Sequence, residues 1–295
     1  MKDKIKFKVI YLEENQGHGN ARRIGLENCS YDLVALMDAD DISLDNRFYF
    51  QLKAFSYDPS LDIVGGQITE FIDEPTNIIG RRVVPEKHDE IQKYMKKRCP
   101  MNQVSVMFKK QAVKDAGGYI DWYCEEDYYL WIRMFLNGSK FANVPENLVN
   151  VRVGNEMSAR RGGIKYYKSE KRVQKFLLSS KIINVFRFLY NILIRFIGEV
   201  LLPNKIRVKV FRKMRSNLLI ENDSKRIIEK INHRDFSVSM CVYDGDNALW
   251  FDQALESIIN QSYEPSEVVL VVDGPINDTL NNVINKWKRV LNYAE

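Results

Sequence analysis

The residues best suited to chemistry are acidic, and they stand where apolar runs end. Asp38-Ala39-Asp40 closes the run Asp32–Met37 (DLVALM), which reads as a buried strand. Ligands of open α/β sheets bind beyond the carboxyl ends of the strands. In extended backbone, positions 38 and 40 point to the same side. Two carboxylates there, with a diphosphate, make a usual site for Mg²⁺ or Mn²⁺, because hard cations prefer oxygen. A turn or a helix cap would use the same aspartates without any ligand, so the triplet alone leaves both readings open. Asp273-Gly274 closes a second apolar run, Glu267–Asp273 (EVVLVVD), and its carboxylate is expected at the same crevice. It could accept hydrogen bonds from a nucleobase or a ribose hydroxyl, or cap the helix that follows. Glu125-Glu126-Asp127 opens a stretch with helical periodicity that runs to Leu136. The helix dipole favours acids there. A carboxylate beside a metal-bound diphosphate could also take the proton of an incoming hydroxyl. Gly17-His18-Gly19 is only loosely like a phosphate loop, since neither a Walker pattern nor G-x-G-x-x-G is present. Arg22 and Arg23 come just after it and could contact a diphosphate. His18 has no partner cluster and is not read as a metal ligand.

These residues need strands and helices to hold them. Phe7–Leu12 (FKVIYL), Asp32–Met37, Ile63–Gly66, Ile68–Ile72, Ser105–Phe108 and Asn147–Val153 read as strands. Helical patterns occur at Ala21–Leu26, Arg47–Phe55, Glu90–Lys97, Lys110–Ala116 and Glu126–Leu136, with Gly117-Gly118 and Asn137-Gly138 as stops. The alternation predicts an α/β fold with a largely parallel sheet. From Lys165 to Asn232 the chain becomes helical, basic and rich in Phe, Leu and Ile. The last stretch reads as a βαβα unit: strand Ser237–Tyr243, helix Trp250–Asn260, strand Glu267–Asp273, helix Asn277–Leu291.

Composition narrows the class. The 295 residues carry 44 Lys+Arg against 39 Asp+Glu, a net charge of +5, with 45% hydrophobic and 28% charged residues. Disorder, collagen and coiled coil are poor fits. The four cysteines, Cys29, Cys99, Cys124 and Cys241, have no zinc spacing and read as thiols of a reducing compartment. The first residues have no apolar run behind them, so a cleaved signal peptide is not expected and the cytoplasm is. The window Ile182–Leu202 is the most apolar, but Arg187, Arg195 and Glu199 interrupt it. Each charge at the centre of a spanning helix costs about 2.5–3.5 kcal/mol, so spanning is not expected. The helix would pack on the domain or lie in a membrane interface. The basic cluster Lys205, Arg207, Lys209, Arg212, Lys213 and Arg215 suits either anionic lipid head groups or a solvated helix face. Peripheral contact through 182–215, at the inner face of the membrane, is therefore an expectation. Nucleic-acid binding is not, since no reader motif is present.

Several motifs in order carry a resemblance. Leu12-Glu13-Glu14-Asn15-Gln16-Gly17 with Ala21-Arg22, Leu36-Met37-Asp38-Ala39-Asp40-Asp41, and Glu125-Glu126-Asp127-Tyr128-Tyr129-Leu130-Trp131 are similar to family 2 glycosyltransferases of the GT-A fold. Ser239–Tyr243 with Val271-Val272-Asp273-Gly274 further on looks like the start of the same domain. The resemblance covers roughly 1–160 and 236–295. It implies a Rossmann-like α/β domain with a mostly parallel sheet and helices on both faces. It also implies a UDP-hexose donor, inversion by direct displacement, and an acceptor hydroxyl on a lipid, glycan or glycoprotein, as in bacterial surface polysaccharide or adhesin glycosylation. On this reading Val242, Tyr243 and Asp273 line the nucleobase and ribose pocket, and Arg22 holds the nucleotide. Asp38 lies by the ribose and diphosphate, Asp40 binds Mn²⁺ or Mg²⁺, Glu126 and Trp131 belong to the substrate-binding set, and Asp127 is the general base.

Two departures stand out. Many relatives carry a metal-binding His after the last strand, whereas Val151–Ser158 here has none. The order is also permuted, because the family begins with the unit found here at 236–295. The expected division is 1–164 for the main catalytic part, 165–215 for a helical basic extension, 216–235 for a linker, and 236–295 for the nucleotide-binding unit. That unit would complete the domain in the same chain or by swapping between copies in an oligomer. Two rival readings use the same residues. One is a catalytically inactive nucleotide-binding or assembly module. The other is a phosphotransferase with Asp38 as nucleophile, which would form a phospho-enzyme.

Overall fold

The structure is a computed structural model that describes residues 5–154, 162–202 and 234–292. In chain order its elements are β1 (Lys6–Tyr11), α1 (His18–Asn28), β2 (Leu33–Asp38), β3 (Ile42–Ser43), α2 (Arg47–Tyr57), β4 (Ile63–Phe71), β5 (Ile78–Arg82) and α3 (His88–Met95). Next come β6 (Met107–Lys109), α4 (Lys110–Asp115), α5 (Glu126–Leu136), β7 (Phe141–Arg152), α6 (Gly163–Ser179), and α7 (Val185–Arg195) with a π-helical turn over Phe196–Leu201. The chain ends in β8 (Phe236–Val242), α8 (Ala248–Ile259), β9 (Glu267–Val272) and α9 (Asp278–Asn292).

Among the described residues the strands form one sheet in the order β1-β9-β8-β2-β6-β4-β7-β3, with β5 on β4. The β1-β9-β8-β2 half is parallel throughout. The other half is mixed: β4 and β7 are parallel, while β6, β5 and β3 run antiparallel to their neighbours. The two strands latest in sequence thus lie between the two earliest long ones. Tyr11 pairs with Val272, Val272 with Val242, and Asp38 with Cys241, so four strands end together at one rim.

Side chains alternate across a strand, and β2 accordingly serves two cores. Leu33, Ala35 and Met37 face one core, where α2, α8 and α9 supply Phe48, Leu52, Phe251, Leu255, Leu280 and Ile284. Val34 and Leu36 face a second core, where α1, α3, α5 and α6 supply Leu26, Ile91, Leu130 and Val173. Helices therefore cover both sides of the sheet, as an α/β fold requires. Below the rim, Glu267 ties the opposite strand ends together. It accepts from Ser30 N (2.8 Å), Ser30 Oγ (2.7 Å) and Ser237 Oγ (2.6 Å).

The structure departs from the sequence expectations in several places. The α/β sheet is as expected in its long ladders, β1-β9-β8-β2 and β4-β7, which are parallel, while the short antiparallel pairings of β3, β5 and β6 make it mixed. Ile63–Gly66 and Ile68–Ile72 are one strand, β4, because Gly65-Gly66 does not break it. A Cβ at Gly66 would stand 2.5 Å from Leu148 Cδ1, so the missing side chain lets β7 come close. β7 begins at Phe141 rather than Asn147, with register shifts against β4 at Gly66–Ile68. β3 and β5 were not expected at all. Gly117 and Gly118, at φ +84° and +66°, end α4 as anticipated. All four cysteines are free. No described helix is long and apolar enough to cross a membrane. The basic cluster 205–215, most of the linker 216–235 and positions 155–158 of the His-lacking stretch lie outside the described residues.

Candidate active site

One buried guanidinium organises the rim. Arg22 sits on the first turns of α1 and reaches both the end of β2 and the start of α5. Its Nη2 lies 2.9 Å from Asp38 Oδ1 and its Nη1 lies 2.7 Å from Glu126 Oε1. With its amide turned to satisfy both sides, Gln103 accepts from Arg22 Nη1 (2.7 Å) and Nε (3.1 Å) and donates to Asp127 Oδ2 (3.1 Å). Asp127 Oδ1 accepts the Tyr128 N–H at 2.6 Å, and the Cys99 thiol stands 3.8 Å from Oδ2. Asp38, from the end of β2, and Glu126 and Asp127, from the start of α5, thus share one hydrogen-bonded network.

Electrostatics derive from that geometry. Burial works against the Asp38 charge, but Arg22 together with His18 and Arg47 more than offsets it and holds the carboxyl below its usual range. Glu126 goes the other way: burial raises it, Arg22 pulls it back and Asp127 raises it again, leaving it above the ordinary value. Burial also opposes the Arg22 charge, yet Asp38 and Glu126 more than compensate, so the guanidinium stays protonated.

The turn after β2 holds two further carboxylates. Asp41 is buried and accepts the Arg152 N–H at 2.9 Å. Its carboxyl is pushed well above the usual range, first by burial and then by the charges of Asp40 and Asp38. Asp40 is half-buried. Arg152 braces this turn against the loop after β4 and against α8. It donates to the Asp40 carbonyl (3.2 Å), the Asp73 carbonyl (2.6 Å) and Gln253 Oε1 (3.0 Å), and its guanidinium lies 4.5 Å from the Trp250 ring centroid. Among the described residues no three His, Cys, Asp or Glu side chains converge as a ready metal cage. Asp40, with the carboxylates of Asp38 and Asp41 near it, is the oxygen donor at this turn that a hard divalent cation could use.

The other residues expected at the site divide between rim and core. Asp273 is on the same rim, but its carboxylate is occupied. Oδ1 accepts Gln16 N–H at 2.7 Å and Oδ2 accepts Gly17 N–H at 3.1 Å, so it fixes the loop between β1 and α1. Gly274, at φ +86°, allows the close approach, since a Cβ there would lie 2.7 Å from Asn15 N. An open cavity of about 570 Å³ adjoins this loop, lined by Tyr11, Leu12, Glu13, Glu14 and Gln16. Val242 is buried beneath the rim, while Tyr243 is exposed and lays its ring over Gly245. Trp131 is fully buried, with its ring packed on Phe108. It lies in the core under the site rather than in the open rim.

Known proteins are similar to this chain in sequence. The family model described as "Glycosyl transferase family 2" matches residues 1–115. An uncharacterised glycosyltransferase of Haemophilus influenzae is 40% identical over 209 residues, covering 71% of this chain and 77% of the relative. The chain belongs to glycosyltransferase family 2. The Escherichia coli protein named UDP-Gal:alpha-D-GlcNAc-diphosphoundecaprenol beta-1,3-galactosyltransferase is 35% identical over 210 residues, covering 71% of this chain and 76% of the relative. The amylovoran biosynthesis glycosyltransferase AmsE of Erwinia amylovora is 33% identical over 207 residues, covering 70% and 77% respectively.

Several residues of this candidate site in the family 2 glycosyltransferase chain carry no signal in the sequence. Gln103 opens a single 3-10 turn, Gln103–Ser105, and carries no pattern. Tyr119 is buried, has no hydrogen-bond partner for its hydroxyl among the described residues, and lies within electrostatic reach of Arg22, Asp127 and Glu126. The stretch leading into α5 is strapped down by α6. Tyr166 donates to Glu125 Oε1 (3.0 Å), Trp122 Nε1 donates to Ser169 Oγ (2.8 Å), and Ser169 Oγ donates to the Tyr123 carbonyl (2.6 Å). The only signal for the strap was the aromatic density of 119–129, which reads equally well as core.

Proposed function

We propose that the chain moves a hexose from a UDP-sugar to a hydroxyl of a glycan, lipid-linked or protein-linked acceptor, with inversion at the anomeric carbon. The observation that carries this reading is the Arg22 network, which ties Asp38 at the β2 end to Glu126 and, through Gln103, to Asp127. Asp127 is the general base. It takes the proton from the acceptor hydroxyl as that oxygen bonds to the anomeric carbon, and the bond from that carbon to the UDP diphosphate breaks. Two donors, Tyr128 N–H and the Gln103 amide, orient its carboxylate for this. Holding acceptor and donor in line supplies much of the remaining acceleration.

Asp40 is the carboxylate assigned to Mn²⁺ or Mg²⁺, with diphosphate oxygens and water as further ligands. Burial first and then the charges of Asp40 and Asp38 lift Asp41, and that crowding of carboxylates supports a cation at this turn. When bound, such an ion offsets charge growing on the departing UDP. Asp273 and Tyr243, with Val242 behind them, belong to the nucleotide side of the rim, where Asp273 acts through the loop it holds.

The unit order is read as permuted within the family. β8 and β9 come last in the chain yet take the positions between β1 and β2, which supports 236–295 as the nucleotide-binding unit of the domain formed mainly by 1–164. The relative named for UDP-Gal and a diphosphoundecaprenol acceptor makes UDP-galactose the first donor to try. It also favours an acceptor presented at the inner face of the membrane. The test is UDP release from UDP-galactose and UDP-glucose with Mn²⁺ or Mg²⁺, for the wild type and Asp127→Asn. The reading expects release to fall by roughly 10²–10⁴-fold in the variant while calorimetry finds donor binding retained. Donor binding with no turnover in the wild type would favour an inactive module, and a phospho-enzyme would favour phosphotransfer.

A further inference from the structure

The helix α7 and its π-helical continuation have two unlike faces. Inward, Asn191 is buried and donates to the Lys96 carbonyl (2.9 Å) and to Gln174 Oε1 (2.7 Å). Arg195 pairs with Glu170 at 2.5 Å and donates to the Lys97 carbonyl at 2.8 Å. Outward, Phe186 is 83% exposed, Leu193 and Tyr190 57%, Leu189 52%, Ile197 41% and Leu201 60%. Positions 186, 189, 190, 193 and 197 fall at helical spacing on one stripe. A contiguous apolar patch of this kind on a water-facing helix marks an interaction surface.

Charge decides what the surface fits. Residues 163–202 hold eight Lys and Arg against two Glu, a surplus of six, which exceeds the surplus of five carried by the whole chain. Lys168, Arg172 and Lys175 are exposed on α6 and Lys181 in the turn after it, and Arg187 flanks the stripe, 5.7 Å from the Tyr190 ring centroid. A second copy would bring the same positive charge to the contact and be repelled. Anionic lipid head groups would neutralise it, while the acyl boundary would take up the apolar stripe. No described helix is long and apolar enough to cross a membrane, so the fitting geometry is a helix lying in the interface plane.

We propose that the exposed face of residues 185–201 docks on an anionic lipid bilayer. The same helix pair is wired to the base of the proposed reaction. Lys96 and Lys97, whose carbonyls hold α7, precede Cys99 beside Asp127, and Tyr166 on α6 holds Glu125. Docking therefore sets the Asp127 corner near the lipid surface. That last step rests on the transfer reading above; docking itself does not.

Vesicle flotation of the full chain tests it, using phosphatidylcholine alone and phosphatidylcholine mixed with phosphatidylglycerol. The wild type is expected to float with the mixed vesicles and to be released by salt. The variant Leu189→Asp/Leu193→Asp is expected to lose binding by roughly tenfold or more. Lys181→Glu/Arg187→Glu, which leaves the stripe intact, is expected to lose the preference for anionic lipid. Both pairs lie outside the proposed catalytic machinery, so UDP release in solution should match the wild type, which separates failure of docking from failure of the transfer reading. Wild-type protein that stays with neither vesicle, or floats undiminished in both variants, overturns the proposal. So does light scattering that finds a dimer which Leu189→Asp/Leu193→Asp turns into a monomer.

Discussion

Arg22 Nη2 stands 2.9 Å from Asp38 Oδ1, which locks the first helix to the end of the second strand directly under the proposed donor site. The same guanidinium holds Glu126 at 2.7 Å. Removing one member of a buried ion cluster leaves uncompensated charge, at a cost of about 3–5 kcal/mol. Arg22→Met should lower unfolding stability by that order in urea titration at neutral pH. Asp38→Asn in the same background should cost less than in the wild type, because the partner charge is already gone. Strict additivity of the two substitutions would show that the contact does not bear on stability.

Gln103 is a positioning residue for Asp127. It has no charge and takes no proton, so its effect must run through orientation. A hydrogen bond to a charged group is worth about 1.5–3 kcal/mol. Gln103→Leu should therefore lower kcat by about tenfold or more, while KM for the UDP-sugar changes little. Gln103→Glu would place a second negative charge against Asp127 and should be worse than Leu. A variant that raised donor KM with kcat intact would assign Gln103 to donor binding instead.

How far the sequence could be read depends on the range of each signal. β2 and β9 were legible as short, nearly unbroken apolar runs and β8 as an alternation of Ser with apolar residues, and the ends of β2 and β9 located Asp38 and Asp273 on one rim. The bounds of α5, Glu126–Leu136, were legible from acids at its start and Asn137-Gly138 at its stop. Contacts between distant positions were not. Nothing local shows that Arg22 meets Glu126, far along the chain, or that Gln103 bridges to Asp127. The family resemblance put Trp131 with the substrate, but it lies one turn beyond Asp127 and is fully buried. A rise of about 1.5 Å per residue carries it roughly 6 Å deeper along α5, into the core. Asp273 was read by its position at a strand end, whereas its carboxylate is spent on two backbone N–H groups of the loop at Gln16 and Gly17.

Glu125 gives a pH-dependent prediction. Burial pushes its carboxyl well above the ordinary range, and Glu170 and Asp127 push the same way. In the unfolded chain a glutamate titrates near ~4.3. Below that value both states keep the proton and nothing is lost. As pH rises past it the unfolded chain ionises first, so native stability falls until the folded carboxyl ionises too. Glu125→Gln removes that loss and can still accept from Tyr166. Its Tm should equal that of the wild type near about pH 4 and exceed it near about pH 8. A lower Tm at the higher pH would mean that the charged form is stabilised here.

The unit that closes the sheet is needed for folding. β9 is buried along its whole length and β8 nearly so, and each pairs with strands on both sides. Without them β1 has no strand neighbour and β2 keeps only its short pairing with β6. The core that Phe48, Leu52 and Met37 share with Phe251, Leu255 and Leu280 loses one wall. Each fully buried Leu or Phe contributes about 1.5–3 kcal/mol, so losing the wall exceeds the whole stability of an ordinary domain, about 5–15 kcal/mol. Residues 1–233 alone should therefore show no cooperative melt and bind no UDP. Co-expression with 234–295 should restore both, because the missing strands pair through backbone hydrogen bonds that do not require a covalent joint. A cooperative melt of 1–233 alone at the full-length Tm would mean that β8 and β9 are not integral to the sheet.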